Sequence, residues 1–74
     1  MREQQRRPVM ALTIEVRTAN GKYYTIEEEG GDIHVYKPGW LGREGLGISF
    51  RSIEDAKEAI EEDAESEIEE ARET

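Results

Sequence analysis

From Ser52 to Thr74 the chain reads SIEDAKEAIEEDAESEIEEARET, and this stretch decides the fold class. Ile53, Ala56, Ile60, Ala64, Ile68 and Ala71 recur at spacings of three and four, the period of an α-helix. Nearly every other position is Glu or Asp. Ser52 is placed to cap the helix by accepting the backbone N–H of Asp55, and Glu54 and Asp55 suit the positive end of the helix dipole. The spacing predicts one long acidic helix running from Ser52 to the end.

A helix of twenty residues spans about 30 Å. A sheet of three or four short strands is only about 17–20 Å across. The part from Ala64 onward is therefore expected to overhang the sheet, either fraying or resting on a partner or a second copy through Ala64, Ile68 and Ala71. Glu54, Glu58 and Glu62 fall at i,i+4, as do Glu61, Glu65, Glu69 and Glu73. Like charges at that spacing cost roughly 0.2–0.5 kcal/mol per pair.

Working back from the helix, the period changes to two. In Ala11 to Thr18, Leu12, Ile14 and Val16 point one way while Thr13, Glu15 and Arg17 point the other, as in a half-buried strand. Asn20-Gly21 accepts positive φ at both positions and predicts a tight hairpin. In the return strand Tyr24 and Ile26 face inward, and Tyr23, Thr25 and Glu27 outward. Gly30-Gly31-Asp32 marks a second turn. Ile33 and Val35 of a third strand face inward, His34 and Tyr36 outward, and Pro38 is expected to end it. Residues 38–47, PGWLGREGLG, read as the longest irregular segment, with Trp40 and Leu41 folding onto the core edge. Ile48-Ser49-Phe50 is expected to add a short fourth strand. The fold class is α+β: a three- or four-stranded antiparallel sheet with one C-terminal helix packed on one face, in the order β-β-β-(β)-α.

At 74 residues there is room for one domain, and an apolar content of 35% allows only a small core. The expected core is Leu12, Ile14, Val16, Tyr24, Ile26, Ile33, Val35, Ile48, Phe50, Ile53, Ala56 and Ile60. Residues 1–9 hold Arg2, Arg6 and Arg7 without apolar periodicity and are expected to be a flexible tail ahead of a domain over residues 10–74. There is no cysteine, which excludes disulfides and thiolate metal sites. No apolar run suits a signal peptide or a membrane span, so the expected setting is cytoplasmic.

The net charge of −8 is unevenly spread. Residues 1–53 balance to +1, and residues 54–74, with two bases and eleven acids, to −9. An acidic surface repels nucleic acid and anionic membranes and favours a basic partner.

Catalytic chemistry has little to work with. His34 is the one histidine, on an outward strand position; a nucleophile would have to be Ser49 or Ser52, and Ser52 is better used as a cap. The run EEEGGD at 27–32 lacks the alternating ligands and distal Glu of a calcium loop. GWLGREGLG has neither the P-loop nor the dinucleotide spacing. No catalytic residue, metal ligand or cofactor is expected, and the chain is not expected to be an enzyme.

The candidate binding residues are Arg17, Tyr23, His34 and Tyr36 on the outward face, with Trp40 and Arg43 beside them. Basic and aromatic residues together on one face are also what a nucleic-acid binder uses. The junction GISFRSIEDAKEAI, residues 47–60, is similar to the strand-to-helix junction of the AP2-like, integrase N-terminal DNA-binding domains. That resemblance implies a small sheet with one helix, and a sheet face that reads the DNA major groove through Arg17, Tyr23 and Tyr36. Glu15, Glu27 and the acidic helix depart from it. The leading expectation is a small acidic module that binds another protein, a basic one for preference. A homo-oligomer through the C-terminal helix is a further option, and nucleic-acid binding is the alternative.

Overall fold

The computed structural model describes residues 11–39, 42–47 and 49–74. The expectations for residues 1–10, Trp40, Leu41 and Ile48 lie outside them.

The alternating segments form strands as their period dictates: β1 (Ala11–Thr18), β2 (Tyr23–Glu29) and β3 (Asp32–Gly39). They are followed by β4 (Gly42–Gly45), α1 (Ile53–Ala64) and β5 (Ile68–Glu73). The five strands make one antiparallel sheet in the order β4-β3-β2-β1-β5, with α1 against one face. The α+β class is as the sequence implies, with five strands rather than three or four.

Val16, Tyr24, Ile26, Ile33 and Val35 from the sheet meet Ala56, Ile60 and Ala64 from α1 in the buried core. Ile14, Leu46, Phe50, Ile53 and Ile68 pack around it, partly exposed. Leu12 is half-buried. The helix enters beside β3, where Phe50 donates its N–H to the Ile33 carbonyl at 2.8 Å. Ser52 caps it, its hydroxyl accepting the Asp55 N–H at 3.1 Å.

The helix does not continue to the C-terminus. It ends at Ala64, and the next residue, Glu65, takes a left-handed conformation (φ 55, ψ 42), which costs a residue with a Cβ roughly 1–2 kcal/mol. Several contacts offset that cost. The Glu61 carbonyl accepts the N–H groups of both Glu65 and Ser66, closing the last turn. The Glu61 carboxylate accepts the Ile68 N–H at 2.8 Å. Asn20 Nδ2 donates to the Ala64 carbonyl at 2.9 Å, and the Ala19 N–H to the Glu67 carbonyl at 2.8 Å. The chain then runs back along β1 as β5. The expected overhang and the self-association stripe of Ala64, Ile68 and Ala71 therefore do not form: Ala64 is buried, Ile68 rests on the core, and Ala71 lies opposite Val16.

Three smaller expectations are also corrected. The turn after β1 spans Ala19-Asn20-Gly21, and of the last two only Gly21 has positive φ (89), which leaves the Asn20 side chain free to cap the helix. The fourth strand is Gly42–Gly45, inside the stretch read as irregular, whereas Phe50 makes only an isolated bridge to Ile33. Pro38 lies within β3, opposite Arg43 of β4. Because Leu46 and Phe50 bond to Val35 and Ile33, odd-numbered residues of β3 face β4 and even-numbered ones face β2. The missing donor of Pro38 thus points past Thr25↔Tyr36, where β2–β3 pairing ends, and no ladder bond is lost.

Candidate functional site

The face opposite α1 collects the outward residues of all five strands. Cross-strand register places Arg17 opposite Tyr23, Thr25 opposite Tyr36, Glu27 opposite His34, and Pro38 opposite Arg43. Five of the six sequence-derived site residues therefore share one face: Arg17, Tyr23, His34, Tyr36 and Arg43. Trp40 lies outside the described residues.

They form two groups. On β2, β3 and β4 the Arg43 guanidinium carbon sits 4.0 Å above the centre of the Tyr36 ring. From there Arg43 Nη2 reaches Glu27 Oε2 at 2.8 Å. His34 lies beside Tyr36, ring centres 6.3 Å apart and tilted by 30°. A planar cation that is stacked and paired at once has few alternative positions, so the group is stiffer than its exposure suggests.

On β1, β2 and β5 the Arg17 guanidinium reaches Glu69 at 3.3 Å and Glu70 at 3.4 Å. A bulge in β5 opposite Arg17 and Thr18 brings both acids to this face. Arg72 arrives opposite Glu15. A shallow hollow of about 220 Å³ lies here, bounded by Glu15, Arg17, Tyr23, Glu70 and Arg72. Tyr23 stands over it with 61% of its surface exposed, the one large apolar side chain so exposed among the described residues.

A second, larger cleft of about 540 Å³ opens where α1 ends, lined by Lys22, Tyr23, Lys37, Glu44 and Asp63 among others. Tyr24, buried on the inner face, donates its hydroxyl to Asp63 Oδ2 at 2.7 Å. Lys37 Nζ approaches the same oxygen at 3.1 Å. Burial, and then the hydrogen bond to Asp63, push the Tyr24 hydroxyl up to about 12. The hydrogen bonds from Tyr24 and Lys37 hold the Asp63 carboxyl below its usual range, with Lys37 and Lys22 adding charge attraction. Both shifts move the titrations further from neutral pH, leaving Tyr24 protonated and Asp63 ionised, which suits a tie between α1 and the sheet rather than acid–base exchange. The sequence offered one signal for this tie: an inward tyrosine needs a partner for its hydroxyl.

Glu69, Glu70 and Arg72 are the face residues that sequence reasoning missed, because they were assigned to a helix. Among the described residues no group of three or more His, Asp or Glu side chains is arranged to hold a metal ion, and no helix is long and apolar enough to cross a membrane. Comparison with protein families, curated proteins and solved structures finds no match to this chain.

Proposed function

We propose that the chain is a small, non-enzymatic protein-interaction module that docks through the open face of its sheet, with Tyr23 at the centre of the contact. The observation that carries this is the exposure of Tyr23, 61%, on the face that α1 leaves uncovered. Interfaces favour tyrosine and arginine because each covers much area with few degrees of freedom to lose. Tyr23 and the Tyr36–Arg43 stack supply both types on a rigid support. Glu15, Glu69 and Glu70 lie near Tyr23, and the net charge is −8. A partner with basic groups around an apolar centre fits that surface and is steered toward it at low salt. A cysteine-free composition fits a cytoplasmic setting.

The test is the double substitution Tyr23→Ser with Tyr36→Ser. It is expected to leave the fold intact by circular dichroism and to abolish capture of the partners that the unmodified chain retains from its native lysate. Unchanged capture by a folded double variant sinks the proposal and moves attention to the acidic side of α1.

The nucleic-acid alternative has less support, because a phosphate would have to displace Glu69 and Glu70 from Arg17, or Glu27 from Arg43. No binding to a generic duplex is expected at low salt; affinity that falls steeply with salt would favour the alternative.

A further inference from the structure

We propose that residues 65–74 are a two-state element, docked as β5 near neutral pH and joined to α1 as one continuous helix under acidic conditions. The apolar positions of this segment obey two periods at once. Ala64, Ile68 and Ala71 keep the helical spacing of Ile53, Ala56 and Ile60, yet Ile68–Glu73 is a strand. What separates the two forms is a local break at Glu65, the one non-glycine residue with positive φ among those described. The strand is held chiefly by its backbone pairing with β1 and by Ile68, with little further side-chain burial. Only Ile68 is half-buried, and every other residue of β5 is exposed.

Charge sets the direction of the switch. In the docked form three of the acids, Glu61, Glu69 and Glu70, have cations or donors. Glu69 and Glu70 face Arg17 of β1 at 3.3 and 3.4 Å, and the Glu61 carboxylate of α1 holds the Ile68 N–H at 2.8 Å. Glu15 of β1 lies opposite Arg72, and Glu73 lies opposite Ile14. From α1, Glu54, Lys57, Glu58 and Glu61 line a groove with Ile68, and Glu65 and Glu67 occupy the connection. In the helical form Glu61, Glu65, Glu69 and Glu73 stack at i,i+4 with charges that repel. Protonation removes the repulsions of the second form, which favours the helix as pH falls. Undocking would bare the β1 edge, a row of unpaired backbone groups able to receive another strand.

The test follows helix content by circular dichroism and amide protection by exchange, near neutral pH and at about pH 4.5, within the carboxylate range. The Thr74 N–H bonds the Thr13 carbonyl and the Thr18 N–H bonds the Lys22 carbonyl, so odd-numbered residues of β1 face β5 and even-numbered ones face β2. On acidification the helical signal is expected to rise by roughly half. Glu15 and Arg17 amides should lose protection by at least about tenfold while Ile14 and Val16 keep theirs. Glu65→Gly relieves the positive-φ strain and weakens the longer helix, and should hold β5 in place at the lower pH. The triple variant Glu65→Gln, Glu69→Gln, Glu73→Gln should raise helicity already near neutral pH. Flat or falling helicity in the unmodified chain overturns the proposal. So does joint loss of protection across β1, or a Glu65→Gly variant that responds to acid as the unmodified chain does.

Discussion

Asn20, in the turn between β1 and β2, donates its side-chain nitrogen to the carbonyl of Ala64, the last residue of α1, at 2.9 Å. The same side chain accepts the hydroxyl of the fully buried Thr18 at 2.6 Å, and its backbone N–H bonds the Ser66 hydroxyl at 3.1 Å. One turn residue thus stops the helix and starts the return toward β5. Asn20→Ala is expected to lower stability by about 1–2 kcal/mol, the range for a part-buried hydrogen bond left unmade. Asn20→Asp should cost at least as much, because it sets a negative charge against the negative end of the helix. Denaturant unfolding of both variants measures this. Unchanged midpoints would mean that water serves the Ala64 carbonyl equally well.

Ile60 is fully buried at the middle of α1, within the core that Ile26 and Val35 build from the sheet. Ile60→Ala should cost about 2–5 kcal/mol, enough to unfold much of a domain this small. Ile68→Ala should cost less, since Ile68 is only partly covered. The reverse order in thermal unfolding would show that β5, not α1, closes the core.

The parts of the fold legible in the sequence are those whose pattern has one solution. Leu12, Ile14 and Val16 alternate with Thr13, Glu15 and Arg17, and only a strand with one covered face satisfies them. The shared outward face of Tyr23, Tyr36, His34 and Arg17 was legible for the same reason, since period two alone points them outward together. The last strand was not legible. Ala64, Ile68 and Ala71 fit a helix, and the break falls on Glu65, which carries no turn signal. What terminates α1 is Asn20, 44 residues earlier in the chain, so tertiary contact overrode local propensity. Missing β5 meant missing the acids that engage Arg17. Arg43 was seen as a candidate, but its strand was hidden among glycines whose conformational freedom suggested a loop.

The Arg43–Glu27 pair is exposed and crosses Tyr36. An ion pair of this kind is worth about 0–1 kcal/mol, and the ring contact adds a similar amount at most. A double-mutant cycle with Arg43→Gln and Glu27→Gln should give a coupling in that range that shrinks as salt is added. A larger, salt-insensitive coupling would show that the face is drier in solution than its exposure implies, which would strengthen the case for a docking surface.

The tie between Tyr24 and Asp63 makes a prediction with opposite signs at the two ends of the pH scale. Tyr24 is raised from 10.0 to about 12 in the fold, so the folded chain keeps a proton that the unfolded chain gives up. Its contribution is complete below pH 10.0 and fades as pH rises toward about 12. Asp63 is lowered from 3.8, so its contribution is present above that value and is lost as pH falls through its lower folded value. Stability should therefore decline at both extremes: at the alkaline end because burial, and then the Asp63 hydrogen bond, hold Tyr24 protonated, and at the acid end because the Tyr24 and Lys37 hydrogen bonds hold Asp63 ionised. In a background of Tyr23→Phe and Tyr36→Phe, tyrosinate absorbance reports Tyr24 alone. Asp63→Asn should lower that titration only part of the way toward 10.0, because burial, the larger cause, remains while the carboxylate no longer opposes ionisation of the phenol. Lys37→Met should leave it high while shifting the acid transition upward, since Asp63 loses a cation but keeps the Tyr24 hydroxyl. If Asp63→Asn leaves the Tyr24 titration unchanged in that background, the bond that ties the last turn of α1 to β2 is not held in solution.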